Sequence, residues 1–118
     1  MIDIVIIPER DLATLRPLAL DPGLERELRR AIVVSDEAVP PDVVTMGARV
    51  VYSDETAGER HTALLVYPWQ ARGPGALSVL TPAGTALLGL SVGQRIEWDF
   101  PDGTRRRLRV DGVFRPAA

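Results

Sequence analysis

The chain has 118 residues, no cysteine and a formal net charge of −2. The length fits one domain or one domain with a small appendage, and the 46% of apolar residues are enough for a hydrophobic core. The absence of cysteine excludes disulfides, thiolate zinc sites and thiol nucleophiles, and the slightly acidic balance argues against a protein whose whole surface attracts nucleic acid.

The sequence contains no segment with the length and composition of a membrane helix or a signal peptide. No run approaches the roughly 18 consecutive apolar residues that a membrane helix needs. The apolar segment at residues 2–7 is shorter than the apolar part of a signal peptide and lacks a basic start. We therefore expect a cytoplasmic protein that makes no contact with membranes.

The N-terminal part begins with a β-like segment, MIDIVII at residues 1–7. Pro8 then suits the first position of a helix, where its missing N–H is not needed. Because Pro17 fits poorly inside a continuing helix, we predict that this helix covers about residues 9–16 and that a turn follows it.

A second helix is predicted to start after that turn. Asp21 can accept hydrogen bonds from the free N–H groups of a helix start, and Pro22 fits the first helical position. The apolar residues that follow recur with helical spacing and form one stripe, made of Leu24, Leu28, Ala31 and Ile32. Two successive helices joined by a tight turn cover their stripes by packing on each other. We therefore predict a short antiparallel helical hairpin within residues 1–38.

The periodicity changes after an acidic linker with two prolines, SDEAVPPD at residues 35–42. Short segments rich in valine, leucine and aromatic residues now alternate with turn clusters, which is typical of an antiparallel sheet. The segments are residues 49–53, 62–67, 77–80, 95–100 and 108–114. One short helix interrupts them, with Thr81 as its N-cap, Pro82 as its first residue and Gly89 as its C-terminal stop. We predict an α+β domain over residues 39–118.

The order of strand, Thr-Pro, short helix, glycine and strand resembles a known family. Residues 77–98 (LSVLTPAGTALLGLSVGQRIEW) are similar to the C-terminal domain of the Gre factors (GreA/GreB), in which a Ser-Pro pair, a short Ala-Leu-Leu helix and a Val-Gly-Asp turn follow one another. Residues 40–52 (PPDVVTMGARVVY) and 64–70 (LLVYPWQ) are more similar still to Rnk proteins, which are named regulators of nucleoside diphosphate kinase. The resemblance extends from about residue 40 to the end of the chain.

The resemblance implies a fold and a partner. The fold would be FKBP-like, a curved antiparallel sheet around one short helix. In Gre factors this domain docks on the coiled coil of the RNA polymerase β′ subunit, at the rim of the secondary channel. The residues before and at the start of the short helix make that contact, and here they are Leu80, Thr81 and Pro82. Gre factors tend to carry an acidic residue at the position of Leu80, so the contact of this chain should be more apolar.

The resemblance also bears on catalysis. Gre factors reach the polymerase active site with a long N-terminal coiled coil, whose carboxylates help to hold a metal ion. Here each helix has roughly ten residues, which span about 15 Å, and the tip at residues 20–23 offers only Asp21. We expect Asp21 to cap its own helix, and Glu25 and Glu27 to lie on solvated helix surface. The implied protein is a monomeric transcription regulator without cofactor or enzymatic activity, which competes with or modulates Gre-type factors.

An arginine-rich strand is a second candidate contact. Arg105, Arg107 and Arg109 share one face of this strand, while Leu108 and Val110 point to the other. The arginine face is either simply solvated or in contact with nucleic acid or an acidic protein surface. Separately, the resemblance allows a weak proximity of the whole protein to DNA within a transcription complex.

The aromatic and histidine side chains give weaker signals. Trp69 follows a proline at a strand end and either packs simply or contacts a partner. Trp98 alternates with Ile96 and Phe100, which predicts that all three lie on the core side of a strand. His61 is the single histidine and has no evident partners for a catalytic triad or a metal site, so we expect it at the surface.

Two alternative functions stay open. FKBP-like folds include prolyl isomerases, but the few aromatic residues are mostly assigned to strand interiors, and a fold alone does not define a function. The name of the Rnk family suggests a direct effect on nucleoside diphosphate kinase, whereas an indirect effect through transcription is equally compatible with the sequence.

Overall fold

Two short strands and two helices form an N-terminal unit. The computed structural model describes residues 4–115, so residues 1–3 of the predicted β-like segment lie outside the described part. The unit contains β1 (Ile6–Pro8), α1 (Glu9–Leu15), a 3-10 turn (Arg16–Leu18), α2 (Pro22–Arg30) and β2 (Ile32–Val34). Because β1 and β2 pair in parallel, the two helices form the crossover between two parallel strands.

Local signals set the limits of α1 and the start of α2 as predicted. The α-helix ends at Leu15, and Pro17 lies in the 3-10 turn that follows it. At the start of α2, Asp21 Oδ2 accepts a hydrogen bond from the backbone N–H of Leu24 at 3.0 Å. This contact satisfies one of the free N–H groups of the first helical turn.

The end of α2 differs from the prediction. The backbone becomes extended at Ala31 (ψ 146°), and Ile32 belongs to β2 with 53% of its surface exposed. The apolar stripe that was predicted to continue to Ile32 is therefore wrong at its last position. The competing interaction is strand pairing, since the Ile32 N–H donates to the Val5 carbonyl at 2.7 Å.

A curled five-stranded sheet forms the larger part of the fold. Its strands are β3 (Arg49–Asp54), β4 (Glu59–Val66), β5 (Ala76–Ser78), β6 (Arg95–Asp99) and β7 (Arg105–Phe114). Their spatial order is β5-β4-β3-β7-β6, with a register shift between Val51 and Tyr52 where β3 pairs with β7. Such an irregularity bends a strand and increases its twist. All five predicted strands are present.

The prediction of a wholly antiparallel sheet is wrong for one pair. β5 runs parallel to β4, whereas the other pairs of this sheet are antiparallel. The cause is the connection between the two strands. This connection contains a 3-10 turn at Pro68–Gln70 and returns the chain along β4, so that β5 can run in the same direction as β4. A tight hairpin turn would instead join antiparallel strands.

The helix α3 (Pro82–Leu87) lies between β5 and β6 in the sequence, and Thr81 is its N-cap, as predicted. The helix ends at Leu87, and the predicted glycine follows two residues later, where Gly89 has a φ of +79°, a conformation that glycine adopts without strain. Four of its residues are buried, namely Gly84, Thr85, Ala86 and Leu87. None of the helices within residues 4–115 is long and apolar enough to cross a membrane.

The apolar faces of α1 and α2 enter the same core as the sheet. Leu15 and Leu24 are fully buried in one cluster with residues of β1, α3 and the sheet. The sequence had predicted that the apolar stripes of the two helices cover each other in a hairpin. Leu12 and Leu28, which are half-buried, instead line an open groove of about 480 Å³ between the two helices. The division of the chain at residue 38 stays a prediction.

Candidate partner-binding surface

The turn that precedes α3, at residues 80–82, is held by hydrogen bonds on both sides. The Thr81 hydroxyl donates to the Ser78 carbonyl at 2.6 Å and accepts from the Gly84 N–H at 3.1 Å. The Leu80 N–H donates to the Ser78 hydroxyl at 3.2 Å. We call these three residues, Leu80, Thr81 and Pro82, the α3 turn. Its backbone is fixed before any partner arrives, and a fixed contact loses little conformational freedom on binding.

The close approach of Gly84 to the preceding strand also fixes the α3 turn. A Cβ atom at Gly84 would lie 2.2 Å from the Ser78 carbonyl oxygen, which is backbone and cannot move aside easily. Glycine therefore allows α3 to start directly against the end of β5. On the outside of the turn, Leu80 keeps 37% of its surface exposed, so the turn presents an apolar side chain to solvent. Its role in partner binding stays a prediction.

An open groove of about 290 Å³ borders the α3 turn. Leu80 and Pro82 line one side, and the start of α2 and the end of β6 line the others, through Gly23, Trp98 and other residues. The first turn of α2 lies close to the sheet domain here, because a Cβ at Gly23 would lie 3.5 Å from the Trp98 ring. We call this feature the α2–α3 groove.

Sequence reasoning missed this groove and the role of α2 in it. Arg26, which is exposed, holds its guanidinium carbon 5.7 Å from the centre of the Trp98 ring. Within residues 4–115 no carboxylate forms an ion pair with Arg26. The helical spacing showed only that Arg26 lies away from the apolar stripe. Its position beside Trp98 depends on how α2 packs on the sheet domain, and no local pattern carries that information.

The prediction that Glu27 lies on solvated helix surface is wrong. Glu27 is 2% exposed, and Arg30 pairs with it at 2.8 Å between Nη2 and Oε2. A buried carboxylate needs such a partner because the loss of hydration is costly. The same helix shows the predicted behaviour at Glu25, which is less buried and pairs with exposed Arg29.

The arginine-rich strand has the predicted alternation. Leu108 and Val110 are buried, while the arginines at 105, 107 and 109 lie on the opposite face and are all ion-paired. Arg105 contacts Glu97 and Asp99, each at 2.9 Å. Arg107 contacts Glu97 at 3.1 Å, and Arg109 contacts Asp111 at 2.7 Å and Glu55 at 3.2 Å. We call this set of ion pairs the arginine ladder.

Two arginines of the ladder favour the charged form of Glu97. The hydrogen bond from Arg105 and then the one from Arg107 hold the pKa of Glu97 below its ordinary value of 4.5, because a hydrogen bond to the ionised form favours that form. The carboxylates thus neutralise much of the positive charge on this face. This distribution favours the solvated interpretation over a nucleic-acid contact, for which positive charge would have to be free.

Trp69 is 57% exposed and stacks on Tyr67, with ring centres 5.0 Å apart and planes 6° apart. Its contact with a partner stays a prediction. His61 is exposed, as expected. Ile96 is buried and Trp98 packs partly buried against the core, on the predicted side of β6.

The tip between α1 and α2 carries one carboxylate, and the cap of α2 already occupies it. Among the residues that the structure describes, no group of three or more His, Asp and Glu side chains is placed to hold a metal ion.

Comparison with known proteins gives a consistent result. Residues 39–113 match the family described as transcription elongation factor, GreA/GreB, C-term. A regulator of nucleoside diphosphate kinase from Escherichia coli (strain K12) is 43% identical over 94 residues, which cover 79% of this chain and 69% of that protein. The transcription inhibitor protein Gfh1 of Thermus thermophilus is 36% identical over 94 residues, which cover 77% of this chain and 58% of Gfh1.

The structural comparison covers nearly the whole chain, including the N-terminal unit. A solved prokaryotic transcription elongation factor GreA/GreB from Nitrosomonas europaea superposes with a TM-score of 0.73 at 39% identity. The match covers 94% of this chain and 98% of that one.

Proposed function

This chain belongs to the GreA/GreB C-terminal domain family of transcription elongation factors, and on that premise we propose that it is a regulator that binds RNA polymerase. We propose further that the α3 turn docks on the coiled coil of the β′ subunit, at the rim of the secondary channel. The observation that carries this proposal is the geometry of the turn. Capping hydrogen bonds hold it, and it presents Leu80 to solvent.

The contact at Leu80 is more apolar than the one that an acidic residue would make. An apolar side chain gains from the removal of water, so this contact should depend less on salt than an ion pair does. Thr81 and Pro82 hold the backbone that displays Leu80, and their own contacts with the partner would be secondary.

We propose that the protein has no transcript-cleavage activity. The helices α1 and α2 contain 7 and 9 residues, which span about 10 Å and 14 Å. Both pack into the core shared with the sheet, so neither extends as an arm. A protein of this shape can occupy the channel entrance and compete with Gre-type factors there, but it does not carry carboxylates to the polymerase active site.

The docking proposal is tested with Leu80→Arg. We expect this variant to bind purified core RNA polymerase at least about tenfold more weakly than wild type, because a charge replaces a central apolar contact. Val92→Arg is the matched control, since Val92 is a similarly exposed aliphatic residue at 41%, and it should bind as wild type does. Equal binding by all three proteins would overturn the docking site, and failure of the wild type to bind would overturn the function.

The absence of cleavage is tested on stalled elongation complexes. The protein alone should not shorten the transcript. In excess, it should slow the cleavage that a GreA factor stimulates, because both would occupy the same rim. Stimulated cleavage by this protein would contradict the proposal.

We infer that the sheet domain is FKBP-like, and that the protein acts as a monomer in the cytoplasm, in weak proximity to DNA within the transcription complex. The alternatives have direct tests. Faster proline isomerisation in a model peptide would indicate a prolyl isomerase, and a changed rate of purified nucleoside diphosphate kinase would indicate direct regulation of that enzyme.

A further inference from the structure

Arg26 differs from most arginines of this chain in its surroundings. The arginines of the ladder, and Arg29 and Arg30 on the same helix, all lie against carboxylates. Arg26 is exposed, and no carboxylate within the described residues forms an ion pair with it. Its guanidinium instead lies over the Trp98 ring, 5.7 Å from the ring centre, an arrangement in which the ring face attracts the cation.

The positive charge of Arg26 lies at the edge of the α2–α3 groove. Arg26, Leu80 and Pro82 line the same groove of about 290 Å³, together with Trp98 and Phe100. The groove therefore places the apolar side chains of Leu80 and Pro82 near a positive charge. Stacking on Trp98 restricts the guanidinium, so less freedom is lost when a carboxylate binds to it.

The two carboxylates that line the same groove already have partners within the protein. Asp99 is bound to Arg105 at 2.9 Å, and Asp21 accepts the N-cap hydrogen bond of α2 at 3.0 Å. An incoming carboxylate would thus meet one cation without a partner. An incoming basic residue would have to compete with contacts that already exist. Although the groove is lined by two carboxylates and one arginine, Arg26 is the charged group that an added carboxylate can pair with, so an acidic group of the ligand is favoured at this point.

We propose that the α2–α3 groove is the second half of the polymerase-binding surface and that Arg26 is a specificity-determining residue in it. The occupant is a segment of the polymerase that places an apolar side chain in the groove beside Leu80 and Pro82, with a neighbouring carboxylate against Arg26. This inference rests on the proposed function. It adds that the N-terminal unit, through α2, takes part in recognition as well as in the fold.

The arrangement also gives α2 a role in binding, although this helix is too short to extend to the polymerase active site. The first turn of α2 lies against Trp98 and Thr85, as the surroundings of Gly23 show. This contact sets the distance between Arg26 and the α3 turn. With this distance fixed, a partner must place both an apolar side chain and a carboxylate correctly in order to bind. This double requirement provides specificity.

The test measures binding of purified core RNA polymerase to Arg26→Glu at two salt concentrations. At low salt we expect roughly a tenfold loss of affinity, because the variant places a carboxylate opposite a carboxylate. The loss should shrink at high salt, where the charges are screened. Arg16→Glu is the matched control, since Arg16 is also an exposed arginine without an ion pair in the described part and lines the other groove. It should stay within about twofold of wild type.

The outcomes separate this inference from the proposed function. If Leu80→Arg loses binding and Arg26→Glu does not, the α3 turn docks alone and the second half of the surface is rejected. If Arg26→Glu and Arg16→Glu lose affinity equally, overall charge accounts for the effect and the role of Arg26 is also rejected. If the wild type does not bind, both proposals fall. Urea unfolding of each variant shows whether a loss reflects binding or stability.

Discussion

At the scale of single residues, Asp11 is the clearest case of a polar group that the fold requires. It is buried in α1, and its Oδ2 accepts a hydrogen bond from the backbone N–H of Met46 at 3.0 Å. The contact joins the N-terminal unit to the segment before β3. Without an acceptor, that N–H would be buried and unsatisfied, which costs about 1–3 kcal/mol.

Two substitutions at Asp11 separate the acceptor from the charge. We expect Asp11→Ala to lower the free energy of unfolding by about 1–3 kcal/mol, because it removes the acceptor. Asp11→Asn keeps an acceptor oxygen and should be as stable as wild type, or more stable, at pH 7. Urea unfolding monitored by circular dichroism measures both. Equal losses in the two variants would show that the charge itself stabilises the fold.

The pH dependence follows from the pKa of Asp11. Burial raises this pKa above its ordinary value of 3.8, and the hydrogen bond from Met46 and the nearby Arg10 only partly oppose the effect. The folded protein therefore holds the proton of Asp11 more tightly than the unfolded chain does. The stabilising contribution is complete below the unfolded pKa and is lost as the pH rises through the folded pKa.

Wild type and Asp11→Asn should consequently diverge as the pH rises. From pH 3.5 to pH 7, the unfolding free energy of the wild type should fall relative to that of Asp11→Asn. Unfolding curves at several pH values measure the difference. A relative gain of the wild type with rising pH would contradict the assigned direction of the pKa shift.

At the scale of elements, the arginine ladder shows how β6 and β7 hold their charges together. Each cross-strand ion pair is exposed to solvent, and such pairs contribute little individually. Glu97 nevertheless faces two arginines across the strands. The ladder therefore prevents a bare positive face on β7 more than it stabilises the pair of strands.

Neutralising two members of the ladder should have small effects. We expect the double substitution Arg105→Gln and Arg107→Gln to change the unfolding free energy by about 1 kcal/mol or less. Polymerase affinity should stay within about twofold, because these side chains already have partners. A binding assay against core polymerase provides the measurement. A loss of affinity that depends strongly on salt would instead assign this face to an acidic partner or to nucleic acid.

At the scale of the whole molecule, Gly89 joins the N-terminal unit to the sheet domain. Its carbonyl accepts from the Ile6 N–H at 2.9 Å, and its own N–H donates to the Val44 carbonyl at 2.9 Å. A Cβ at this position would lie 2.4 Å from Val5 Cγ1. The glycine thus satisfies a positive φ and a close approach at the same point.

Gly89→Ala should weaken the attachment of β1 to the rest of the fold. The left-handed backbone conformation costs an alanine about 1–2 kcal/mol, and the contact with Val5 adds to that cost. We expect a loss of about 2 kcal/mol or more in urea unfolding. Hydrogen exchange should show the largest increase in β1 and β2. Gly58→Ala is the control, because Gly58 also has a positive φ but no atom near its missing Cβ.

The parts of the fold that local signals determine could be predicted from the sequence. Thr81 and Asp21 cap their helices as expected, because a cap needs only a side chain and the next few N–H groups. The five strands of the sheet followed from alternation. The α3 turn was placed by family resemblance, and its surface position agrees with the exposure of Leu80.

Contacts between distant segments could not be predicted in this way. The strand β2 forms because β1 lies beside it and pairs with it. The pattern of apolar residues in a three-residue segment carries no information about such a distant pairing partner. The burial of Glu27 and the position of Arg26 over Trp98 depend on the packing of α2 against the sheet domain. The α2–α3 groove was missed for the same reason, since its walls come from residues more than fifty positions apart.

The location of Trp98 makes the protein its own optical reporter. The indole is half-buried at the groove, and the second indole, Trp69, belongs to a separate stacked pair with Tyr67. With Trp69 replaced by phenylalanine, the remaining emission would come from the groove alone. Quenching by dissolved iodide would then measure the solvent accessibility of the Trp98 ring, both in the free protein and in a mixture with a binding partner, without an added dye.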